Sequence, residues 1–241
     1  MKAVILSAGY GSRLLPLTLE IPKCLVPVQG REILLHQLDA LAAAGVSEAT
    51  IVVGYRHRQI EEFVAMRPLP VSVDLVFNPF WAVANSIGSI WVARGHLLDP
   101  FCLLNGDTVF EAGMLAGALA RSPRGVGLLV EPDTGPELDD MRVEVAAGQV
   151  VAVAKDLPTA RTTHRSLGVV VSNGAGDAYR HALEEVIARE GGANSYHHAV
   201  VARLAETVGV AAIERDAGHW REIDRPEDID AWNETHRQGQ A

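Results

Sequence analysis

Two cations follow a glycine-rich turn near the amino terminus. Residues 6–28 read LSAGYGSRLLPLTLEIPKCLVPV. Gly9 and Gly11 carry no Cβ, so backbone N–H groups there can approach a base or a phosphate closely. Arg13 presents a planar fork suited to paired phosphate oxygens, and Lys23 supplies a compact positive charge. Together they suit a triphosphate. Two familiar phosphate-binding patterns are excluded. Leu14 stands where a dinucleotide fingerprint needs Gly or Ala, and no Gly-Lys-Ser/Thr follows the glycines.

The elements that must position this loop can be read from periodicity. Strands are expected at 2–6, 50–53, 71–76 and 101–104, with helices at 31–44, 57–66 and 86–94, the last with Ser86 as its cap. Strand-loop-helix units with short connections imply a mostly parallel sheet flanked by helices, an α/β fold of Rossmann-like type. Ligands of such sheets bind beyond the carboxyl ends of the strands. The loop from Ser7 to Pro27 and the triplet Asn105-Gly106-Asp107 both follow strands directly, so they belong on one functional edge. Further strands are expected at 126–131, 142–146, 149–154, 167–171, 208–213 and 219–223, with helices at 175–190 and 196–206. Ala147-Gly148 marks a hairpin turn. A last helix begins near Pro226, with Asp224 as its N-cap. No linker divides the chain. One domain over 1–241 is expected, its first 125 residues mainly nucleotide-binding and residues 126–241 an added acceptor-binding β region.

Length and composition agree. The chain has 241 residues, 48% hydrophobic, enough for a sizeable core. A net charge of −9 argues against a nucleic-acid partner. Two cysteines do not make a disulfide scaffold, no apolar run reaches membrane-spanning length, and the amino terminus lacks a signal peptide, so a cytoplasmic protein is expected. A homo-oligomer is left open.

The 6–28 string resembles the signature of the sugar-phosphate nucleotidyltransferases, L-x-A-G-x-G-[ST]-R-[LM]-x-P-x-T-x-x-x-P-K-x-[LM]-x-P-V, and meets each of its fixed positions. The resemblance implies a nucleotidyltransferase fold and transfer of a nucleoside monophosphate from an NTP to a small phosphorylated acceptor, with release of pyrophosphate. Arg13 and Lys23 are implied as catalytic. The nucleotide is expected against Leu6, Ala8, Gly9, Gly11, Ser12 and Arg13, with Gly54, Tyr55, Asn85 and Ser89 nearby. Asp107 matches a magnesium ligand, and Asp224, in Trp220-Arg221-Glu222-Ile223-Asp224, matches the second. Magnesium prefers such carboxylate oxygens together with phosphates and water. Lys155 matches the lysine that holds the acceptor's phosphate. Strand alternation puts Trp220, Glu222 and Asp224 on one face.

The acceptor side narrows the resemblance. Ala154 replaces a Glu that binds sugar hydroxyls in many members, which argues against a hexose. The segment from Asn78 to Ile90 is similar to the phosphocholine and phosphonate cytidylyltransferases, with Asn85 and Ser89 as the matching positions. CTP and an acceptor such as phosphocholine or a phosphonate are therefore favoured. A choline-like acceptor calls for aromatic rings, for which Trp81, Tyr196 and Trp220 are candidates, with Glu222 beside them. Two alternatives stay open: a sugar- or cyclitol-1-phosphate nucleotidyltransferase using UTP, dTTP, ATP or GTP, and a non-catalytic nucleotide-binding module. His197-His198 and Asp139-Asp140 carry no recognisable pattern; the acidic pair reads as solvated charge.

Overall fold

Burial along the first strand sets the architecture. The structure is a computed structural model that describes residues 1–135 and 139–237. In β1 (Lys2–Ser7), Ala3 and Ile5 pack into one hydrophobic layer and Val4 into the other, because successive strand residues point to opposite faces. A strand covered on both sides reads as an unbroken apolar run, as KAVIL does. The chain continues through α1 (Leu17–Glu20), β2 (Pro27–Val28), β3 (Arg31–Glu32), α2 (Ile33–Ala43), β4 (Glu48–Val53), α3 (His57–Ala65), β5 (Ser72–Phe77), α4 (Ser86–Ala93), β6 (Phe101–Asn105), β7 (Thr108–Phe110) and α5 (Ala112–Ala120). The second half supplies β8 (Gly125–Pro132), β9 (Arg142–Ala146), β10 (Gln149–Ala154), β11 (His164–Asn173), α6 (Gly176–Ile187), α7 (His198–Thr207), β12 (Ala211–Glu214), β13 (Trp220–Glu222) and α8 (Pro226–Arg237).

Nine strands form one sheet in the order β5-β4-β1-β6-β11-β8-β12-β10-β9. The first four run parallel. Beyond them the sheet becomes mixed: β11 enters antiparallel to both β6 and β8, and β9 and β10 form an antiparallel hairpin. The expected parallel arrangement thus holds for the first half, and the β-rich second half extends the same sheet. The hairpin turn falls at Ala147-Gly148, both with positive φ (49° and 74°), as an I′-type turn requires.

Helices cover both faces. Leu34, Leu38 and Leu41 of α2 and Met114, Leu115 and Ala118 of α5 pack on the Ile5 side. Ile87 and Ile90 of α4, Leu183 and Val186 of α6, and Val200, Val201 and Leu204 of α7 pack on the Val4 side. The α2 spacing of i, i+4, i+7 is a single helical stripe. α5 and β7 were not expected from the sequence. The α5 segment AGMLAGALA contains two glycines, which lower intrinsic helix propensity, and its burial against α2 decides the outcome. The strand expected from 208 starts at Ala211, because Val208 and Gly209 close α7 by donating to the Leu204 carbonyl.

Two features of the sheet shape its carboxyl edge. β11 pairs Ser172 with Phe101 and Val169 with Leu104, so residues 164–166 run past the end of β6 and pair instead with β8, and His164 and Arg165 also with β9. This overhang carries the β9–β10 hairpin beyond the parallel strands. β13 pairs with β7 as a separate two-stranded ribbon, Glu222 opposite Thr108, and the Ile223 N–H donates to the Asp107 carbonyl at 2.9 Å. That ribbon joins residues more than a hundred positions apart in sequence.

Candidate active site

The loop after β1 folds back over the sheet edge. Its course is held by backbone bonds from Tyr55 N–H to the Ala8 carbonyl (2.9 Å) and from Gly106 N–H to the Leu6 carbonyl (3.1 Å), and by the Thr18 hydroxyl donating to Gly11 (2.9 Å). Gly11 has φ 67°, and a Cβ there would stand 3.0 Å from the Cβ of Lys23. Only glycine takes that conformation freely against such a neighbour. Arg13 and Lys23 are thereby turned into a cavity of about 500 Å³.

At the cavity floor, Lys23 lies between two carboxylates. Its Nζ is 2.8 Å from Asp107 Oδ2 and 2.5 Å from Asp224 Oδ1. Burial alone would lower the Lys23 pKa, but Asp107 and Asp224 outweigh it and raise the value. Burial pulls Asp224 up, and Lys23 with Arg13 brings it down below the usual carboxylate range. Arg13 also reaches Asp224 at 2.7 Å. Beside them, Glu222 is pushed up to about 8 by burial and then by Asp107 and Asp224; Asn105 Nδ2 donates to its Oε1 at 3.3 Å.

The donor set fits magnesium. Asp107 and Asp224 offer hard oxygens, and Asp107 Oδ1 is buried with no hydrogen-bond partner among the described residues. Among the described residues, no three His, Cys, Asp or Glu side chains form a ready-made ligand set. An ion held by the two aspartates would complete its shell with phosphate and water oxygens, as magnesium commonly does.

The far wall comes from the second half. Lys155, just after β10, places Nζ 2.7 Å from Asp139 Oδ1 and 4.6 Å from the centre of the Tyr196 ring. Arg13 also ion-pairs with Asp139. The segment before α7 is tied to the start of α4: Asn85 N–H donates to the Ala193 carbonyl and His197 N–H to Ser86 Oγ, each at 2.9 Å. His197 and His198 stack at 3.9 Å and are buried. Burial lowers His197 to about 4 and drives His198 well below the usual range, so both rings are neutral. His198 pairs with Ser166 Oγ at 2.9 Å, whereas neither His197 ring nitrogen has a partner among the described residues.

Most residues singled out in the sequence meet here. Leu6, Ala8, Gly9, Gly11 and Ser12 line the cavity with Arg13 and Lys23; so do Trp81, Asn85, Ser89 and Asp107, and Lys155, Tyr196, Glu222 and Asp224. Three do not. A Cβ on Gly54 would meet the Ala8 carbonyl and Trp81 Cβ, both at 2.6 Å, so Gly54 backs the glycine loop from behind. Tyr55 bonds the Thr18 carbonyl and packs edge-on to Tyr10. Trp220 packs under the Arg165 guanidinium, 5.0 Å away, and bonds Glu131, leaving only Trp81 and Tyr196 of the three candidate rings in the wall. The helix caps also differ from expectation. Asn85 Oδ1, not Ser86, caps α4. Asp228 accepts the N–H groups of Asp224 and Arg225, which leaves the Asp224 carboxylate for the cations. Cys24 is buried in the same wall.

Several lining residues escaped the sequence reading. Asp139, read as solvated charge, joins Arg13 to Lys155. His197 and His198 are wall residues. Asn78 is buried and donates to Ser89 Oγ at 3.1 Å. Behind the site, buried Gln37 donates to the carbonyls of Asn105 (2.6 Å) and Thr108 (2.9 Å), bracketing Asp107. Only Gln37 carried a local signal, as a polar residue on the apolar stripe of α2.

Known proteins give the same outline. A CMP-5'-(3-aminopropyl)phosphonate synthase of Streptomyces rubellomurinus is 32% identical over 239 residues, covering 95% of this chain and 37% of that protein. The chain therefore spans little more than a third of that relative. Among solved structures, an inositol-1-phosphate CTP transferase from T. maritima superposes with a TM-score of 0.81 at 21% identity, covering 99% of this chain and 96% of the other. The CTP:phosphocholine cytidylyltransferase from Streptococcus pneumoniae does so at 0.80 and 22%, covering 98% of each. At these identities the two structures speak for the fold alone. The family model of the MobA-like NTP transferase domain matches residues 3–164, which span the glycine loop, Lys23, Asp107 and Lys155, and the chain belongs to that family.

Proposed function

We propose that the protein is a nucleotidyltransferase that moves CMP from CTP to a small acceptor carrying a phosphonate or phosphate, with release of pyrophosphate. The observation that carries this reading is the convergence in one cavity of Arg13 and Lys23 from the glycine loop, Asp107 and Asp224 flanking the β7–β13 ribbon, and Lys155 from the opposite wall. An acceptor oxygen attacks the α-phosphorus in line. The new P–O bond forms as the bond to the pyrophosphate oxygen breaks. Such an acceptor oxygen is already ionised near neutral pH, so no strong base is required, and positioning with charge neutralisation does most of the work.

Arg13 takes the β- and γ-phosphates and the departing pyrophosphate. Lys23 neutralises the α-phosphate and guides the attacking oxygen. Lys155 holds the acceptor's anionic group. Asp107 and Asp224 would hold a magnesium ion, which when bound supplies further neutralisation of the polyphosphate. The absence of Trp220 from the wall weakens a three-ring choline cage, and the aminopropylphosphonate relative supports a phosphonate over phosphocholine.

Pyrophosphate release measured with each NTP against phosphonates, phosphocholine and sugar or cyclitol 1-phosphates tests this reading. Fastest release with CTP and a phosphonate is expected. Fastest release with another NTP and a sugar or cyclitol 1-phosphate would transfer the acceptor assignment to that class. No release with any pair would leave a nucleotide-binding module.

A further inference from the structure

Asp139 carries two cations at once. Arg13 and Lys155 both pair with its carboxylate, and both are the side chains that the proposed reaction assigns to phosphates. The Lys155 ammonium lies against the Asp139 carboxylate and over the face of Tyr196. A carboxylate and an aromatic face on one ammonium make a cation site, and here the occupant is a side chain of the protein itself. When nucleotide phosphates draw Arg13 away and the acceptor's anionic group draws Lys155 away, Asp139 loses both counter-charges. The Asp139 side chain, 42% exposed, is then left to water alone, and an acceptor cation in the same place restores the charge pair.

We propose that Asp139, with the Tyr196 ring, binds a primary ammonium on the acceptor, and that Lys155 holds this place until substrates arrive. The proposal rests on the nucleotidyl-transfer reading and names its acceptor class: a zwitterion in which a short carbon chain joins a phosphonate or phosphate to an amine. A primary ammonium is favoured over a quaternary one. It can donate hydrogen bonds to the carboxylate, and a single ring is not the cage that a quaternary group calls for. The neighbouring wall adds no competing positive charge, since burial keeps His197 and His198 neutral.

The test is titration calorimetry with 3-aminopropylphosphonate and with propylphosphonate, which differs only by the amine, on wild type and Asp139→Asn. Both are run in magnesium with a non-cleavable α,β-methylene analogue of CTP. A hydrogen-bonded charge pair predicts that wild type binds the amine about tenfold to a hundredfold more tightly than its amine-free analogue. Asp139→Asn should bring that ratio close to one while binding propylphosphonate at least as tightly as wild type, because Arg13 and Lys155 are released. Equal binding of both ligands by wild type overturns the proposal, as does equal weakening of both in the variant. Binding of neither phosphonate also overturns it. In that last case pyrophosphate release with other acceptors would show that nucleotidyl transfer itself stands.

Discussion

Replacing Lys23 with Met keeps its length and removes its charge. In the protein that charge stands 2.8 Å from Asp107 and 2.5 Å from Asp224, with the raised-pKa Glu222 alongside. At an effective dielectric of about 20, each pair contributes roughly 6 kcal/mol of attraction before desolvation is counted. Desolvation of the buried ammonium offsets much of this. Removing Lys23 nonetheless leaves Asp107 uncompensated and Asp224 with Arg13 alone, which costs about 3–5 kcal/mol. Lys23→Met should therefore lose that much unfolding free energy in EDTA, measured by urea titration. Turnover should also fall by about a hundredfold or more, the scale for losing one oriented charge at a reacting phosphorus. Magnesium distinguishes this account from a simple packing defect. In wild type an added cation competes with the Lys23 ammonium for both carboxylates, whereas in the variant only Arg13, on Asp224, remains. Magnesium should raise the stability of Lys23→Met more than that of wild type. An unchanged stability in EDTA, or an equal magnesium increment in both proteins, would refute the reasoning.

Two further outcomes follow from buried groups. Gln37→Leu leaves the Asn105 and Thr108 carbonyls without their side-chain donor; a loss of about 1–3 kcal/mol is expected in denaturant titration, together with reduced turnover because those carbonyls bracket Asp107. His197 is neutral in the fold, with its pKa lowered to about 4, and titrates near 6.5 once unfolded. Between these values the unfolded chain binds the extra proton, so stability is full above about pH 6.5 and falls by about 3 kcal/mol as pH drops toward 4. His197→Phe should flatten that slope in thermal melts across the same range, and an identical slope in both proteins would count against it.

What the sequence made legible was chemistry carried by neighbouring residues. The glycine loop could be read because Gly9, Gly11, Arg13 and Lys23 lie within one stretch whose pattern the fold preserves. The unbroken apolar run of β1 and the stripe on α2 were readable for the same reason, since both patterns are local. Asp139 was not readable. Its role comes from β11 overrunning β6 and carrying the hairpin across to Arg13, which no local pattern encodes. Trp220 failed in the opposite way. Its strand was expected, but Arg165 and Glu131 claim its ring and turn it from the cavity. The mixed half of the sheet was hidden because a strand's sequence records its burial and says little about the direction of its neighbour.

The central claim is tested most directly in one tube by phosphorus NMR, with the protein, CTP, magnesium and 3-aminopropylphosphonate. A new phosphonate–phosphate anhydride signal should grow in step with pyrophosphate, and Asp107→Ala should abolish both while remaining folded. Unchanged CTP, CTP hydrolysis without the anhydride, or full activity in Asp107→Ala would contradict it.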